Sequence, residues 1–180
     1  KVEEVWEYLV KNFGSGNGAL TTRMDTEKFT DTYFDTRSLS LMDAEIEARY
    51  RTRSREDKES LVQVKSGGTT LARGEWKFGA KPAGAGRQIL LDVVAKKDRD
   101  VLAETLAAFG VRTEFLNPIL ALAQERRRVY FSENGEDVFT ISLDLVSSER
   151  LWAEARFASI DVEINEVAYT AAGEEKREVL

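Results

Sequence analysis

Glu45-Ile46-Glu47-Ala48-Arg49-Tyr50-Arg51-Thr52-Arg53 places charged side chains on alternate positions, with Ile46, Ala48 and Tyr50 between them. Successive side chains of a strand point to opposite faces, so this segment predicts a strand with one apolar side and one densely charged side, over about 30 Å of extended chain. Further along, Gln63 and Lys65 share one face of Leu61–Lys65, and Gly74, Trp76 and Phe78 alternate with Arg73, Glu75 and Lys77. Phe139, Ile141 and Leu143 alternate with Thr140, Ser142 and Asp144, and Ile160, Val162 and Ile164 alternate with Asp161, Glu163 and Asn165.

Two arrangements satisfy this alternation. In one, an open antiparallel sheet packs its apolar side on a core and leaves its charged side in water. In the other the sheet closes into a barrel, with the apolar side outward beneath helices and the charged side lining a cavity. The residue types favour the barrel, because the charged face concentrates arginine, the side chain best shaped for bidentate recognition of phosphate or carboxylate. Tyr50, Trp76 and Phe78 also require a cover.

The rest of the chain supplies covers. Val2, Val5, Trp6, Leu9, Val10 and Phe13 have the spacing of an amphipathic helix that Gly14 ends. Asp98-Arg99-Asp100 opens a second helix, with Val101, Leu102, Leu106 and Phe109 as its stripe and Gly110 as its stop. Asn117-Pro118 reads as the cap and first position of a short helix through Leu122, and Ser147-Ser148-Glu149 as the start of another carrying Leu151 and Trp152. These stripes are core packing and carry no chemistry.

At 180 residues, 42% hydrophobic and 32% charged, the chain reads as one globular domain spanning 1–180, without internal repeats. Gly14–Gly18 follows a helix where a phosphate-binding glycine loop should follow a strand. A net charge of −6 argues against coating a nucleic-acid duplex, which needs a broad basic face. An acidic protein with cations gathered in strands suits a small polyanion held in a cavity. The chain has no cysteine and no histidine, which excludes disulfides, thiol or imidazole metal sites, and triads built on either residue. A bound metal must then be a hard cation on oxygen ligands such as Glu75, Asp144 and Glu163, that is Mg²⁺, Mn²⁺ or Ca²⁺. The cysteine-free composition is compatible with a cytoplasmic location, and no apolar run is long enough to cross a bilayer. The chain begins with Lys1 rather than Met, so a native N-terminus can lie upstream.

Tyr33-Phe34-Asp35-Thr36 with Leu39 and Leu41, Ala48-Arg49-Tyr50-Arg51, Val62-Gln63-Val64-Lys65 and Arg73-Gly74-Glu75 together resemble the triphosphate tunnel metalloenzymes, which include the CYTH and VTC-type domains. Pro118, Arg127 with Tyr130, Ile141-Ser142-Leu143-Asp144 and Val162-Glu163-Ile164 continue the likeness in order and approximate spacing. The Arg-x-x-Tyr segment behind a proline and the Ile-Ser-Leu-Asp strand look closer to the VTC-type polyphosphate branch.

The resemblance implies an α+β fold built on an eight-stranded antiparallel barrel with helices outside. Such a barrel encloses little more than one slender ligand. It implies Arg49, Arg51, Arg53, Lys65, Arg73 and Arg127 as phosphate ligands, with Arg53 at the tunnel mouth. Arg126 and Arg128 have the opposite parity to Arg127. It implies Glu75, Asp144 and Glu163 as metal ligands, Glu163 and Glu75 as catalytic groups, and Mg²⁺ or Mn²⁺ as cofactor. The family's first strand, with a Glu-x-Glu-x-Lys pattern, is absent here or lies upstream of Lys1; Glu27-Lys28 lacks that spacing, and Asn165 stands where the VTC-type pattern has lysine. The implied activity is metal-assisted phosphoryl transfer on tripolyphosphate, polyphosphate or an organic or nucleoside triphosphate. Water as acceptor makes a triphosphatase; a phosphate chain as acceptor makes a polyphosphate polymerase. Two other readings stay open: a module that binds polyphosphate or another polyanion without turnover, and an open sheet with an unrelated interaction role.

Overall fold

A computed structural model describes residues 2–14, 20–55, 58–67, 74–81, 90–150 and 153–171; the N-terminal apolar stripe forms a helix and the five alternating segments fall in strands, but Ile160 and Val162 of the last segment's apolar face are 54% and 64% exposed. Helix α1 (Val2–Phe13) precedes the long strand β1 (Leu20–Asp35), and the short helix α2 (Ser40–Asp43) leads into β2 (Ile46–Arg53), β3 (Ser60–Ser66) and β4 (Glu75–Ala80). Then come α3 (Leu90–Val93), a 3₁₀ turn (Lys96–Asp98), α4 (Arg99–Ala107) and a second 3₁₀ turn (Thr113–Phe115). Strands β5 (Asn117–Glu133), β6 (Glu136–Arg150) and β7 (Ala153–Ile164) and helix α5 (Glu166–Ala171) complete the chain. The fold is α+β. Its described strands form one seven-stranded sheet in the order β4-β3-β2-β1-β5-β6-β7, one strand short of the eight expected and with β4 and β7 as its two ends.

Three sequence expectations are corrected. Asn117-Pro118 opens no helix: it begins the 17-residue strand β5, and the Asn117 side chain donates to the Phe115 carbonyl at 2.9 Å. A proline at a strand start sacrifices little, because ladder hydrogen bonds begin after it. Ser147-Ser148-Glu149 continues β6 to Arg150, while Leu151 and Trp152 lie outside the described residues. Glu45 precedes β2 in a left-handed turn at φ 56°, its N–H donating to the Met42 carbonyl at 3.0 Å, so the charged face of β2 begins at Glu47. Asn134 and Gly135 also have positive φ and join β5 to β6 in a two-residue turn, for which this pair is the preferred chemistry.

The chain divides into two compact units. One comprises Lys28–Gln124 and Ser147–Ala155. Its core takes the even-numbered side chains of β2 and β3 (Ile46, Ala48, Tyr50, Val62, Val64) and Phe78 of β4, covered by Leu90, Val93, Val94, Leu102 and Leu106. Trp76 packs against this core with Phe109 edge-on at 5.8 Å. The Tyr50 hydroxyl, the one polar atom this wholly buried side chain carries inward, donates to the Lys81 carbonyl at 2.9 Å. The aromatic residues of the apolar face are therefore covered by helices, as the sequence required. Within α4, Leu102 and Leu106 are fully buried whereas Val101 is 51% exposed, so the stripe is narrower than its spacing suggested.

The other unit comprises Lys1–Glu27, Glu125–Val146 and Arg156–Leu180. Here α1 lays Val5, Trp6, Leu9 and Phe13 on Val129 and Phe131 of β5 and Phe139 and Ile141 of β6. Phe131 stacks on Phe139 at 4.2 Å and meets the edge of Phe13 at 5.6 Å. Among the described residues no helix is long and apolar enough to cross a membrane.

Leu102→Ala should destabilise the protein by about 2–5 kcal/mol, the cost of a buried cavity, whereas Val101→Ala should cost less than about 1 kcal/mol. Urea unfolding of the two variants beside the wild type reads the contrast; equal costs would place α4 with a different face inward.

Candidate functional site

Because the even residues of β2 and β3 enter the core, the odd residues share the opposite face. Antiparallel register aligns them in rows. Tyr33, Arg49, Gln63 and Lys77 stand in one row, Glu47, Lys65 and Glu75 in a second, and Asp31 pairs with Arg51 in a third. Phe29 sits opposite Arg53 at the end of the β1–β2 ladder.

Asp31 organises this face. It is completely buried, and Arg51 holds it in a two-pronged clamp, Nε and Nη2 each donating at 2.7 Å. Gln124 Nε2 adds a third donor at 3.0 Å, and Arg49 Nη1 lies 3.1 Å from Asp31 Oδ2. The Arg51 guanidinium also lies 3.8 Å above the Phe29 ring. From Arg49 the chain of contacts continues outward: its Nε donates to Gln63 Oε1 at 2.9 Å, and Gln63 Nε2 donates to Glu75 Oε1 at 2.8 Å. Glu75 also pairs with Lys77 at 2.8 Å and Lys65 at 3.7 Å.

Accessibility decides what each cation can do. The Arg51 side chain is 5% exposed and Arg49 12%, whereas Lys65 is 29% and Lys77 59% exposed. Arg51 is therefore a fixed element of the scaffold, and Lys65 and Lys77 are the groups that reach solvent. Burial alone would lower the Arg49 pKa, but the charges of Asp31 and Glu47 and the Tyr33 hydroxyl outweigh it and move it upward. Burial, with the charge of Glu47, pushes the Tyr33 phenol above its ordinary value, against the pull of Arg49. For Glu75 burial acts upward, yet Lys77, Lys65 and Arg49 prevail and hold the carboxyl below its usual range, so it is anionic at neutral pH.

The other unit carries a polar face of its own. Arg126 clamps Asp144 through two bonds, Nε at 2.6 Å and Nη2 at 2.5 Å. Burial opposes the Arg126 charge, but Asp144, Glu163 and Asp161 together keep its pKa raised. Arg128 lies 3.6 Å from the buried Glu27 and contacts the Tyr130 hydroxyl at 3.4 Å, and the Arg23 guanidinium covers the Tyr130 ring at 3.8 Å. Arg127 has the opposite parity and binds Glu3 of α1 at 2.7 and 2.9 Å and Glu125 at 3.0 Å. Of the three consecutive arginines, then, Arg127 faces the α1 side and Arg126 and Arg128 share the polar face.

Arg49, Arg51, Lys65 and Glu75 thus occur together, joined by Gln63, and Arg53 ends the same strand face. Asp144 and Glu163 belong to the other unit, Glu163 on the exposed strand β7. Arg73 lies outside the described residues. Asp31, Gln63 and Gln124 carry the network and were not singled out as site residues from sequence. The face of Gln63 is readable from β3, and those of Asp31 and Gln124 only once β1 and β5 are known to be strands, but the Asp31–Gln124 contact spans 93 positions and leaves no local signature.

The fit to a divalent cation depends on donor chemistry. Among the described residues no three carboxylates cluster as a protein-only metal cage. Mg²⁺ and Mn²⁺ carried on a phosphate need only one or two carboxylates, the remaining positions being phosphate oxygens and water. Asp161 and Glu163, two apart on β7 and both exposed, meet that need; Asp144 meets it less well, because both its oxygens accept from Arg126.

Asp31→Asn should cost about 3–5 kcal/mol, because it leaves the Arg51 charge buried without its partner, while Glu47→Gln should cost under about 1 kcal/mol. Chemical denaturation reads both. Tyr33 gives a pH test: a group with a raised folded pKa contributes stability that is complete below its unfolded value and is lost as pH rises through the folded one. Phenolate absorbance should show a tyrosine titrating above the ordinary value of 10.0, and Tyr33→Phe should remove that component.

No curated protein matches the chain in sequence. Among solved structures, a Bacillus halodurans protein provisionally described as an adenylate cyclase superposes with a TM-score of 0.51 at 16% identity, covering 99% of this chain and 82% of that one. A Pyrococcus horikoshii OT3 protein has a TM-score of 0.49 at 15% identity, with 98% of this chain and 81% of that one covered. A Vibrio parahaemolyticus protein, also provisionally described as an adenylate cyclase, has 0.46 at 15%, with 98% and 76% covered. The CYTH domain profile matches residues 7–178, nearly the whole length, and the chain belongs to the CYTH domain family.

Proposed function

We propose that this protein binds a triphosphate-type polyanion on the cationic face of β2 and β3 and transfers its terminal phosphoryl group to water, with a divalent cation. The observation that carries this reading is the set Arg49 and Arg53 of β2 and Lys65 of β3 on one sheet face, with Arg49 held by the buried Asp31–Arg51 clamp. Lys65 offers three rotatable donors and Arg49 a planar fork, and both suit phosphate oxygens. Arg51 acts by fixing Asp31 and through it the position of Arg49. Arg73 belongs to the ligand set on sequence grounds. Arg127 is assigned with it on the same grounds, although its pairing with Glu3 and Glu125 favours Arg126 and Arg128 for that role. The family match runs through both units, which supports reading the chain as one domain.

In the step we assign, the bond between the terminal phosphorus and its bridging oxygen breaks while a water oxygen bonds to that phosphorus. The remaining diphosphate leaves with the bridging oxygen, and the proton of the water passes to solvent or phosphate. Guanidinium and ammonium groups offset the charge that spreads over the phosphoryl oxygens. Glu75, kept anionic by Lys77 and Lys65, would accept a hydrogen bond from an attacking water but is a weak base. On sequence grounds Glu75, Asp144 and Glu163 would hold a Mg²⁺ or Mn²⁺, which would neutralise phosphate charge. The second reading, polyanion binding without turnover, is favoured by the pairing of Asp144 with Arg126, which withdraws one implied metal ligand. Polymerisation onto a phosphate chain uses the same ligands with a different acceptor.

Tripolyphosphate at about a hundred times its Kd should stabilise the fold by about 2.7 kcal/mol, read as a rise in Tm. Lys65→Ala should weaken that binding by about 1.5–3 kcal/mol. Phosphate release from tripolyphosphate and ATP, with Mg²⁺ or Mn²⁺, tests turnover. Glu163→Gln should abolish release yet leave metal-free binding intact; tight binding by the wild type without release under any divalent cation would leave the binding module standing.

A further inference from the structure

A cavity of about 640 Å³, a volume usual for small-molecule sites, lies between the turn 36–40 after β1 and the segment 110–117 that leads from α4 into β5. Both walls belong to the unit that contains Lys28–Gln124. Among the described residues, none of Arg49, Arg53, Lys65 and Glu75 lines it. Its Val111 belongs to the core formed by the even-numbered residues of β2 and β3, on the side of those strands opposite to the cationic face.

The first wall is a cluster of donors on a fixed frame. Buried Asp35 accepts from the N–H groups of Thr36, Leu41 and Met42 at 2.7, 2.9 and 3.0 Å, which locks the turn. On this frame the hydroxyls of Thr36, Ser38 and Ser40 lie within 3.1 Å of one another. Thr36 Oγ1 donates to Ser40 Oγ and accepts from Ser40 N–H at 3.0 Å, so its proton is committed, whereas the Ser38 and Ser40 protons can rotate toward a ligand oxygen. Arg37, on the same wall, is exposed and has no hydrogen-bond or ion-pair partner among the described residues.

The second wall presents an aromatic ring. Val111, Thr113 and Leu116 are buried, and Leu116 N–H donates to the Thr113 carbonyl at 3.2 Å, which holds Phe115 outward at 57% exposure. The Arg112 guanidinium lies 5.3 Å from the centre of that ring and pairs with Glu114, so the charge of Arg112 is already matched. An aromatic face held in water gains from stacking on a flat ligand ring.

We propose that this cavity binds a nucleoside monophosphate, its phosphate at Arg37 and the Ser38 and Ser40 hydroxyls and its base against Phe115. A carboxylate would be satisfied by a two-pronged guanidinium alone, whereas the three terminal oxygens of a phosphate monoester also take the hydroxyl donors. One phosphate answers one unpaired guanidinium, in contrast to the phosphate chain suited to the face of β2 and β3. The two sites share no residue, so this one stands or falls apart from the proposed function.

Calorimetric titration of the full chain with AMP, adenosine and inorganic phosphate, without divalent metal, tests the site. AMP should bind one equivalent, and adenosine and phosphate should each bind more weakly by about tenfold or more, since each lacks one half of the contacts. Arg37→Ala and Phe115→Leu should each lower the AMP affinity by about tenfold and, because both side chains are exposed, keep the wild-type Tm. Lys65→Ala should leave AMP binding unchanged. Absence of saturable AMP binding, adenosine binding as tightly as AMP, or an AMP affinity indifferent to Arg37→Ala and Phe115→Leu overturns the site and leaves the proposed function intact. AMP binding lost in Lys65→Ala and kept in Arg37→Ala also overturns it, and assigns the nucleotide to the cationic face instead.

Discussion

The buried pair of Asp31 and Arg51 is the constraint on which the charged side of β1–β4 depends. Removing a carboxylate and a guanidinium from water is expensive, and mutual attraction repays that cost only when the geometry is good and the remaining lone pairs are satisfied. Both conditions hold, since the two parallel bonds are each 2.7 Å and Gln124 and Arg49 occupy the other approaches to the carboxylate. The pairing requires the β1–β2 register that sets Asp31 opposite Arg51, and a slip by one residue would carry Arg51 into the core beside Val62 and bring Tyr50 out. The ion pair and the hydrophobic core thus enforce the same register from opposite faces of β2.

This clamp changes the meaning of the arginine-rich strand. A bare row of Arg49, Arg51 and Arg53 would repel itself, and a partly desolvated site can hold it only with compensating anions. Asp31, Glu47 and Glu75 supply those anions inside the protein. A polyanion reaching the face meets cations of graded availability, with Arg51 committed, Arg49 shared and Lys65 half free. Electrostatic preorganisation of this kind favours a ligand whose charge exceeds that of the carboxylates already present, which suits a phosphate chain better than a monovalent anion.

Each unit solves the problem of a two-faced strand by itself. In one, α3 and α4 cover Tyr50, Val62, Val64 and Phe78; in the other, α1 covers Val129, Phe131 and Phe139. The opposite faces carry paired charge, as Asp31 with Arg51 and as Asp144 with Arg126. The same bidentate pairing recurs because the planar fork of arginine matches the two oxygens of a carboxylate.

Much of this was legible in the residues alone. Strands β2, β3, β4, β6 and β7 alternate openly, and α1 and α4 show their stripes and glycine stops. Strand β1 was hidden because its inward residues include Glu27 and Asp31, whose burial a hydrophobic alternation does not register. Strand β5 was hidden because Arg126 and Arg128 serve one face and Arg127 the other, so one residue type carries both parities, and because Asn117-Pro118 mimics a helix start. Local propensity yields there to strand pairing. The sequence by itself determined which strand faces are charged and which must be covered, since that follows from the period of two in an extended chain. Only the tertiary structure decided which cations are already neutralised and which stay accessible, because that depends on acids and amides delivered from 20 to 93 positions away by the pairing of the strands.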